Sequence, residues 1–156
     1  MNKPFAATAL STLGLALAAI VVSGCSADTR VSKTIGKLID EGGANSIRLA
    51  DATSFDWDQV YLFGPYAARR DICATLRIGE RECERQVPFE SQDDDEMSIA
   101  FLAKGRLVHY VRHSRANGDF TPVPAQQPIS RDRAVFRKPR GGEAEAGLAR
   151  GKLVLE

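Results

Sequence analysis

The hydrophobic and polar positions divide the chain into an apolar N-terminal stretch and a longer region of short, alternating apolar and polar segments. Residues 5–22 are apolar or small, and Lys3 is the only charged residue before Cys25. A positive start followed by an apolar stretch of this length is typical of a secretory signal, and it is marginal for a transmembrane span. We therefore expect residues 1–24 to direct export and to be separate from the folded domain.

Two segments have the spacing of amphipathic helices. In residues 31–41 the apolar positions fall on one helical side, and they are Val31, Ile35, Leu38 and Ile39. The pair Gly42-Gly43 ends this run. Residues 66–77 have the second helical pattern, in which Ile72, Cys73 and Leu76 face inward. Pro65 is expected to be the first helical residue, because its missing N–H costs nothing at that position.

Strand-forming residues alternate with these helices. Residues 60–63 are continuously apolar and predict a buried central strand, which Gly64-Pro65 ends. Residues 46–49 predict a short strand, and residues 131–137 predict another. Residues 116–130 contain three prolines and are expected to form a loop.

The clearest local pattern is a β-hairpin over residues 97–113. Two apolar runs flank Lys104-Gly105, which suits a two-residue turn. This turn sets three cross-strand pairs, namely Phe101 with Val108, Ile99 with Tyr110, and Leu102 with Leu107. The first two pairs share a face and are expected to point into the core, whereas a one-residue slip would exchange the faces.

These elements predict an α+β fold with one small antiparallel sheet of four or five strands and two helices. The domain is expected to span residues 33–138. Residues 25–32 are expected to form a short tether, and residues 79–95 are charged and are expected to be irregular. Residues 139–156, rich in Gly, Glu, Ala and Arg, are expected to form a loose tail.

The apolar N-terminal stretch ends in a specific motif. Its last residues, Val22-Ser23-Gly24-Cys25, resemble the lipobox of bacterial lipoproteins, which has a branched aliphatic residue, two small residues and a cysteine. This resemblance implies cleavage before Cys25, acylation of that cysteine, and a lipid anchor in the cell envelope. Ser26 stands where an aspartate would favour the inner membrane, so the resemblance favours the outer membrane, facing the periplasm. An uncleaved N-terminal anchor with an incidental cysteine is the alternative.

Composition narrows the function classes. The 156 residues include 21 basic and 20 acidic ones, and 44% are hydrophobic. Such a chain can form one domain with a core, and it lacks the net basic charge typical of nucleic-acid binding. We therefore expect no nucleic-acid partner.

Residues 57–66 contain the most distinctive motif of the chain. Trp57, Asp58, Tyr61 and Tyr66, together with Phe63-Gly64-Pro65, resemble a motif of small bacterial lipoproteins, and this resemblance implies no activity. The four residues Trp57, Asp58, Tyr61 and Tyr66 form a candidate binding surface. The alternative, which the pattern favours, is a core strand that ends in a Gly-Pro corner, with Trp57 and Tyr61 on one strand face.

Candidate metal ligands are few. His109 and His113 could form a metal pair that Asp94 or Asp95 would complete. On a strand, however, the two histidines lie about 13 Å apart, too far for one ion, and only a helix would bring them together. The run of acidic residues 93–96 lacks the alternating ligands and the glycine of a calcium loop. We therefore expect no metal site and no cofactor, and we expect residues 93–96 to form a solvated loop.

The carboxylate pair Asp56 and Asp58 beside Trp57 has two interpretations. It is compatible with a glycoside hydrolase or a sugar-binding platform. It is also typical of acidic residues that cap turns at the start of a strand, and we favour this interpretation. The sequence has no nucleophile elbow, phosphate-binding loop or zinc-protease helix, so we expect no enzymatic activity.

The cysteines predict one disulfide. If Cys25 carries a lipid, Cys73 and Cys83 remain, and export would place them in an oxidising compartment. A bond between them would fix the charged segment to the second helix. Two separate thiols, one buried and one exposed, are the alternative.

Together these features favour a non-catalytic, lipid-anchored envelope protein that binds a macromolecular partner in the periplasm or supports envelope structure. An immunity or inhibitor lipoprotein, which would neutralise a periplasm-acting toxin or hydrolase through residues 79–96, is the alternative. An enzyme is the third and least favoured hypothesis.

Overall fold

A computed structural model describes residues 26–41, 45–124, 126–139 and 151–156. The α-helices are α1 (Ser26–Glu41), α2 (Arg69–Leu76) and α3 (Glu80–Gln86), and short 3₁₀ turns cover Leu49–Ala52 and Arg115–Asn117. The strands are β1 (Ser46–Arg48), β2 (Gln59–Phe63), β3 (Glu96–Ala103), β4 (Arg106–Ser114), β5 (Ile129–Ser130), β6 (Val135–Arg137) and β7 (Val154–Leu155). The expected signal segment and Cys25 lie outside the described residues.

The strands form two antiparallel sheets. The large sheet has the order β4-β3-β2-β5, and the small sheet has the order β1-β6-β7. The predicted α+β class is confirmed, and β2 is a central strand as expected. The prediction of a single sheet is wrong. The structure has a second sheet because β1 pairs with β6 and not with the hairpin.

The first core lies between one face of the large sheet, α1 and the small sheet. α1 contributes Val31, Ile35 and Ile39, which recur every four positions and so lie on one side of the helix. Residues of the two sheets that meet this helix side include Val60, Ile99, Phe101, Val111 and Phe136.

The second core covers the opposite face of the large sheet. α2, α3 and Val87 pack on sheet residues of this face, which include Phe63, Ala100, Leu102 and Tyr110. Because both faces are covered, every residue of β3 from Met97 to Leu102 is buried, and its sequence does not alternate between apolar and polar positions.

α1 and α2 begin at other residues than the sequence pattern predicts. α1 starts at Ser26, so residues 26–32 are helical and do not form a tether. α2 starts at Arg69, four residues after Pro65. Tyr66 has a positive φ of 60° and its N–H donates to the Ser91 carbonyl, which prevents a helix from starting there. The first amide of α2 instead donates to the Glu90 carboxylate at 2.7 Å.

α3 lies in the segment expected to be irregular. Its acidic residues Glu80 and Glu82 stand in the first turn and Arg85 stands in the last, an arrangement that favours the helix dipole. A disulfide between Cys73 of α2 and Cys83 of α3, with Cα atoms 5.8 Å apart, confirms the predicted pairing. Only Cys83 of α3 is buried, so apolar periodicity could not have revealed this helix.

The hairpin turn at Lys104-Gly105 is confirmed, and so is the pairing of Leu102 with Leu107. A β-bulge between Phe101 and Leu102 then shifts the register by one residue. The next three pairs are Phe101 with His109, Ala100 with Tyr110, and Ile99 with Val111. The expected pairs of Phe101 with Val108 and of Ile99 with Tyr110 are therefore wrong, and Val108 is 42% exposed.

The last six residues are packed, in contrast to the loose tail expected over residues 139–156. β7 pairs with β6, and Leu153 is buried in the first core. The Leu153 N–H donates to the Asp119 carbonyl at 2.7 Å. Residues 140–150 lie outside the described part of the chain.

We predict that Phe101→Ala lowers the free energy of unfolding by about 3–5 kcal/mol, because truncation of a fully buried aromatic side chain leaves a cavity. Val108→Ala on the facing strand is the matched control, and it should change the free energy by no more than about 0.5 kcal/mol. Urea unfolding of both variants measures the difference. Equal losses in the two variants would show that the bulge is misplaced.

Candidate functional site

The four residues expected to form a binding surface do not lie on one surface. Trp57 is 4% exposed, its ring centroid lies 5.1 Å from that of Phe101, and its indole N–H donates to Thr53. Tyr61 packs against the second core, so Trp57 and Tyr61 lie on opposite faces. The expectation that they share a strand face is wrong because Trp57 precedes β2, which begins at Gln59.

The remaining two members of that set have different surroundings. The Asp58 carboxylate accepts a hydrogen bond from the Lys104 N–H at 2.6 Å and so caps the hairpin turn. For Asp58, this contact agrees with the turn-capping interpretation. Tyr66 is 62% exposed, and the nearby negative charge of Asp94 raises the pKa of its hydroxyl.

The two histidines have different surroundings. The His109 ring lies 3.8 Å from the Phe55 ring, and His113 is fully buried with its Nε2–H donating to the Gly118 carbonyl at 2.7 Å. Within the described residues, no group of three His, Cys, Asp or Glu side chains could hold a metal ion.

Asp119 is the centre of a buried polar network that sequence reasoning missed. Its carboxylate accepts hydrogen bonds from Arg115 at 2.9 and 3.1 Å and from Thr121, and it forms an ion pair with Lys152 at 3.5 Å. Burial by itself raises the pKa of Asp119, but the hydrogen bonds from Arg115 and Thr121 hold it well below its usual range. The network joins the segment before β7 to the loop after β4, so it stabilises the fold.

The acidic residues 93–96 do not act as one solvated loop. Asp93–Asp95 are exposed, whereas the backbone carbonyls of Asp94 and Asp95 accept hydrogen bonds from Arg115 at 2.5 and 2.8 Å. Glu96 already belongs to β3, and its carboxylate forms an ion pair with Arg112 at 2.5 Å.

The outer edge of the large sheet is the most extended candidate surface. β4 has nine residues, and it pairs with β3 alone among the described strands. The Ser114 N–H donates to the Ser32 hydroxyl at 3.2 Å, so α1 covers this end of the edge. Arg106, Val108 and Arg112 are exposed along the rest of it. The edge could not be read from the sequence, because periodicity does not give strand order.

A cationic and aromatic cluster borders this edge. The Arg112 guanidinium lies 4.4 Å from the centroid of the Phe89 ring, and that ring lies 4.6 Å from the Tyr110 ring. Phe89 and Arg112, together with Arg69 and Glu90, line a surface cavity of about 300 Å³. The cluster fixes Arg112 at the edge of the sheet.

Two buried hydroxyls belong to strands of the large sheet, and one buried guanidinium nitrogen belongs to α2. They are the Ser98 hydroxyl, the Tyr110 hydroxyl and the Arg69 Nε, and none has a hydrogen-bond partner among the described residues. Burial raises the pKa of Tyr110 to about 12, so its hydroxyl keeps its proton and remains a donor. Polar atoms in such positions are commonly satisfied by ordered water.

We predict that stability falls as the pH is lowered from about 6.5 to about 4, because burial lowers the pKa of His113 to about 4. In this window the unfolded chain binds a proton that the folded chain does not, so the free energy of unfolding decreases, by up to about 3 kcal/mol. Urea unfolding at pH 7 and pH 5 measures the loss. His113→Gln is the control and should flatten the slope. An unchanged slope in this variant would assign the pH dependence to other groups.

The described helices include none that is both long and apolar enough to cross a membrane. No protein-family model, curated protein or solved structure matches the chain.

Proposed function

We propose that the chain is an exported lipoprotein, anchored in the envelope through a lipid on Cys25, that binds a protein partner in the periplasm and catalyses no reaction. The observation that carries the export part of this proposal is the disulfide between Cys73 and Cys83. Disulfides persist in oxidising compartments and are rare in the cytosol. The bond and the lipobox-like sequence are independent features, and both favour the cell envelope.

The start of α1 supports a location close to the lipid surface. α1 begins at Ser26, the residue directly after the proposed lipidation site. A lipid on Cys25 would therefore hold the folded domain against the membrane, with no flexible spacer between them. Anchoring by more than one acyl chain is durable, since each buried methylene contributes about 0.8 kcal/mol. We place the protein on the outer membrane, facing the periplasm.

The contacts of the polar side chains support binding over catalysis. Asp58 caps a turn, Asp119 accepts hydrogen bonds from two residues, and His113 is buried with its Nε2–H bonded to a carbonyl. Each of these groups is engaged in contacts that hold the fold together. The exposed edge of β4 offers a surface for a protein partner.

A second candidate function, immunity or inhibition, is favoured by the geometry of α3. The disulfide fixes this short helix, and its exposed Glu82 forms an ion pair with Arg85. A short helix that is held rigidly and carries exposed charges suits the capture of one toxin or hydrolase. Crosslinking in live cells distinguishes the candidates, since one stoichiometric secreted protein would select immunity and an envelope complex would select the first proposal.

We predict that labelled palmitate enters the wild-type protein and does not enter Cys25→Ser, because acylation needs the thiol at this position. Cys73→Ser is the matched control, since it removes a different cysteine, and it should still be labelled. Gel fluorography of cells fed the label measures both results. Equal labelling of the wild type and Cys25→Ser would contradict lipidation at this residue.

A further inference from the structure

We infer that the exposed face of α1 binds anionic phospholipid headgroups through Arg30, Lys33 and Lys37, which we call the basic stripe. This contact would set the orientation of the domain on the membrane. The inference rests on the proposed lipid anchor, because it names the surface that the anchored domain turns towards the bilayer. Clusters of Lys and Arg next to a membrane anchor are attracted to anionic headgroups.

The basic stripe lies opposite the buried side of α1. At about 100° per residue, Arg30, Lys33 and Lys37 fall within an arc of about 60° around the helix axis. All three are exposed, whereas Ile35 on the other side is fully buried. Asp28 is about 200° around the axis from Arg30, so it does not belong to the stripe. The stripe is therefore a continuous row of positive positions about 10 Å long.

The positive charges of the basic stripe are not used in the fold. Within the part of the chain that the structure describes, none of its three side chains forms an ion pair or a hydrogen bond. Arg112, in contrast, is paired with Glu96, and Lys152 is paired with Asp119. The charges of the stripe are thus available to an anionic ligand.

The basic stripe does not stabilise α1 itself. Arg30 and Lys33 are three residues apart and Lys33 and Lys37 are four apart, and like charges at these spacings destabilise a helix. The last turn contains Asp40 and Glu41 and no basic residue, the reverse of what the helix dipole favours. The charges of α3 follow its dipole. The pattern in α1 therefore favours a role for the stripe outside the helix.

The position next to the anchor favours a membrane over an acidic protein as the ligand. α1 begins directly after Cys25, and the basic stripe lies about 6 to 17 Å from the start of the helix along its axis. With no flexible spacer, a lipid on Cys25 would keep the stripe near the bilayer, so a weak electrostatic contact suffices. The core side of α1 and both sheets would then lie away from the bilayer.

The test measures how fast an acylating reagent labels lysine amines of the lipidated protein, purified from cells and reconstituted in vesicles. The vesicles contain phosphatidylcholine alone or mixed with anionic phosphatidylglycerol. Lys33 and Lys37 should be labelled at least about threefold more slowly on the anionic vesicles. About 0.5 M salt should remove the difference, because salt screens such contacts. Mass spectrometry of the labelled peptides gives each rate.

Lys104 is the internal control for this measurement. It is exposed at the hairpin turn, and β4 extends about 27 Å from Arg106 beside that turn to Ser114, which contacts Ser32 of α1. The labelling of Lys104 should be the same on both kinds of vesicle. Equal slowing of Lys104 and of the stripe lysines would contradict a specific contact of the stripe.

A pair of variants tests whether charge in the basic stripe is the cause. Arg30→Gln/Lys33→Gln removes two of its charges and keeps Lys37 as the reporter. Each basic residue near an anionic surface changes the binding equilibrium about fivefold, so loss of two should change it about 25-fold and abolish the protection of Lys37. Lys104→Gln/Arg106→Gln removes the same net charge elsewhere and should keep this protection. All four residues are exposed, and circular dichroism checks both folds.

The contradicting outcomes are distinct. Fast labelling of Lys33 and Lys37 on anionic vesicles that still hold the protein would overturn the inference and leave the lipid anchor standing. The same slow rate on both kinds of vesicle would overturn the role of charge. Protection in isolated cell envelopes but not on anionic vesicles would assign the stripe to an acidic protein. A purified protein whose intact mass lacks a lipid would overturn both the proposed anchor and this inference.

Discussion

The bond between Cys73 and Cys83 joins two helices of eight and seven residues, and neither is long enough to be stable alone in water. The large sheet depends on them because β3 has apolar side chains on both of its faces. α1 and the small sheet cover the first face with a wide apolar surface, whereas the second face is covered chiefly by this helix pair and the segment after it. The disulfide therefore keeps the second core closed, and the buried polar atoms beneath it stay out of bulk water.

This dependence connects the fold with the proposed location. The helices that cover the second face of the large sheet are linked by a disulfide. Such a fold is suited to an oxidising compartment, which agrees with the proposed export. Covering both faces also leaves the edges as the parts of the large sheet that are available to a partner. α1 packs against β4 and its Ser32 hydroxyl accepts a hydrogen bond from the Ser114 N–H, and β5 at the other edge has two residues. Of the two edge strands of the large sheet, β4 is the longer.

Local patterns predicted the local structure, and long-range contacts decided the rest. The turn at Lys104-Gly105 and the central strand β2 were predictable, because turn chemistry and apolar runs act over a few residues. The bulge beside Phe101 was not, since no glycine or proline marks it, and it moved Val108 to the surface. α3 and β7 were missed for a related reason, because a disulfide and a distant strand partner hold them and their own sequences do not. The position of β4 at the edge of the large sheet depends on the strand order, which local sequence patterns do not reveal.

The most direct test of this account is the unfolding of the full-length protein with and without the disulfide. Closing a loop of ten residues is expected to stabilise the fold by about 3 kcal/mol, so Cys73→Ala/Cys83→Ala should lower the free energy of unfolding by about that amount. Hydrogen exchange of the same variant should become faster in α2 and α3, while the amides of α1 keep their protection. An unchanged free energy of unfolding, with unchanged exchange in α2 and α3, would contradict the central role of the disulfide.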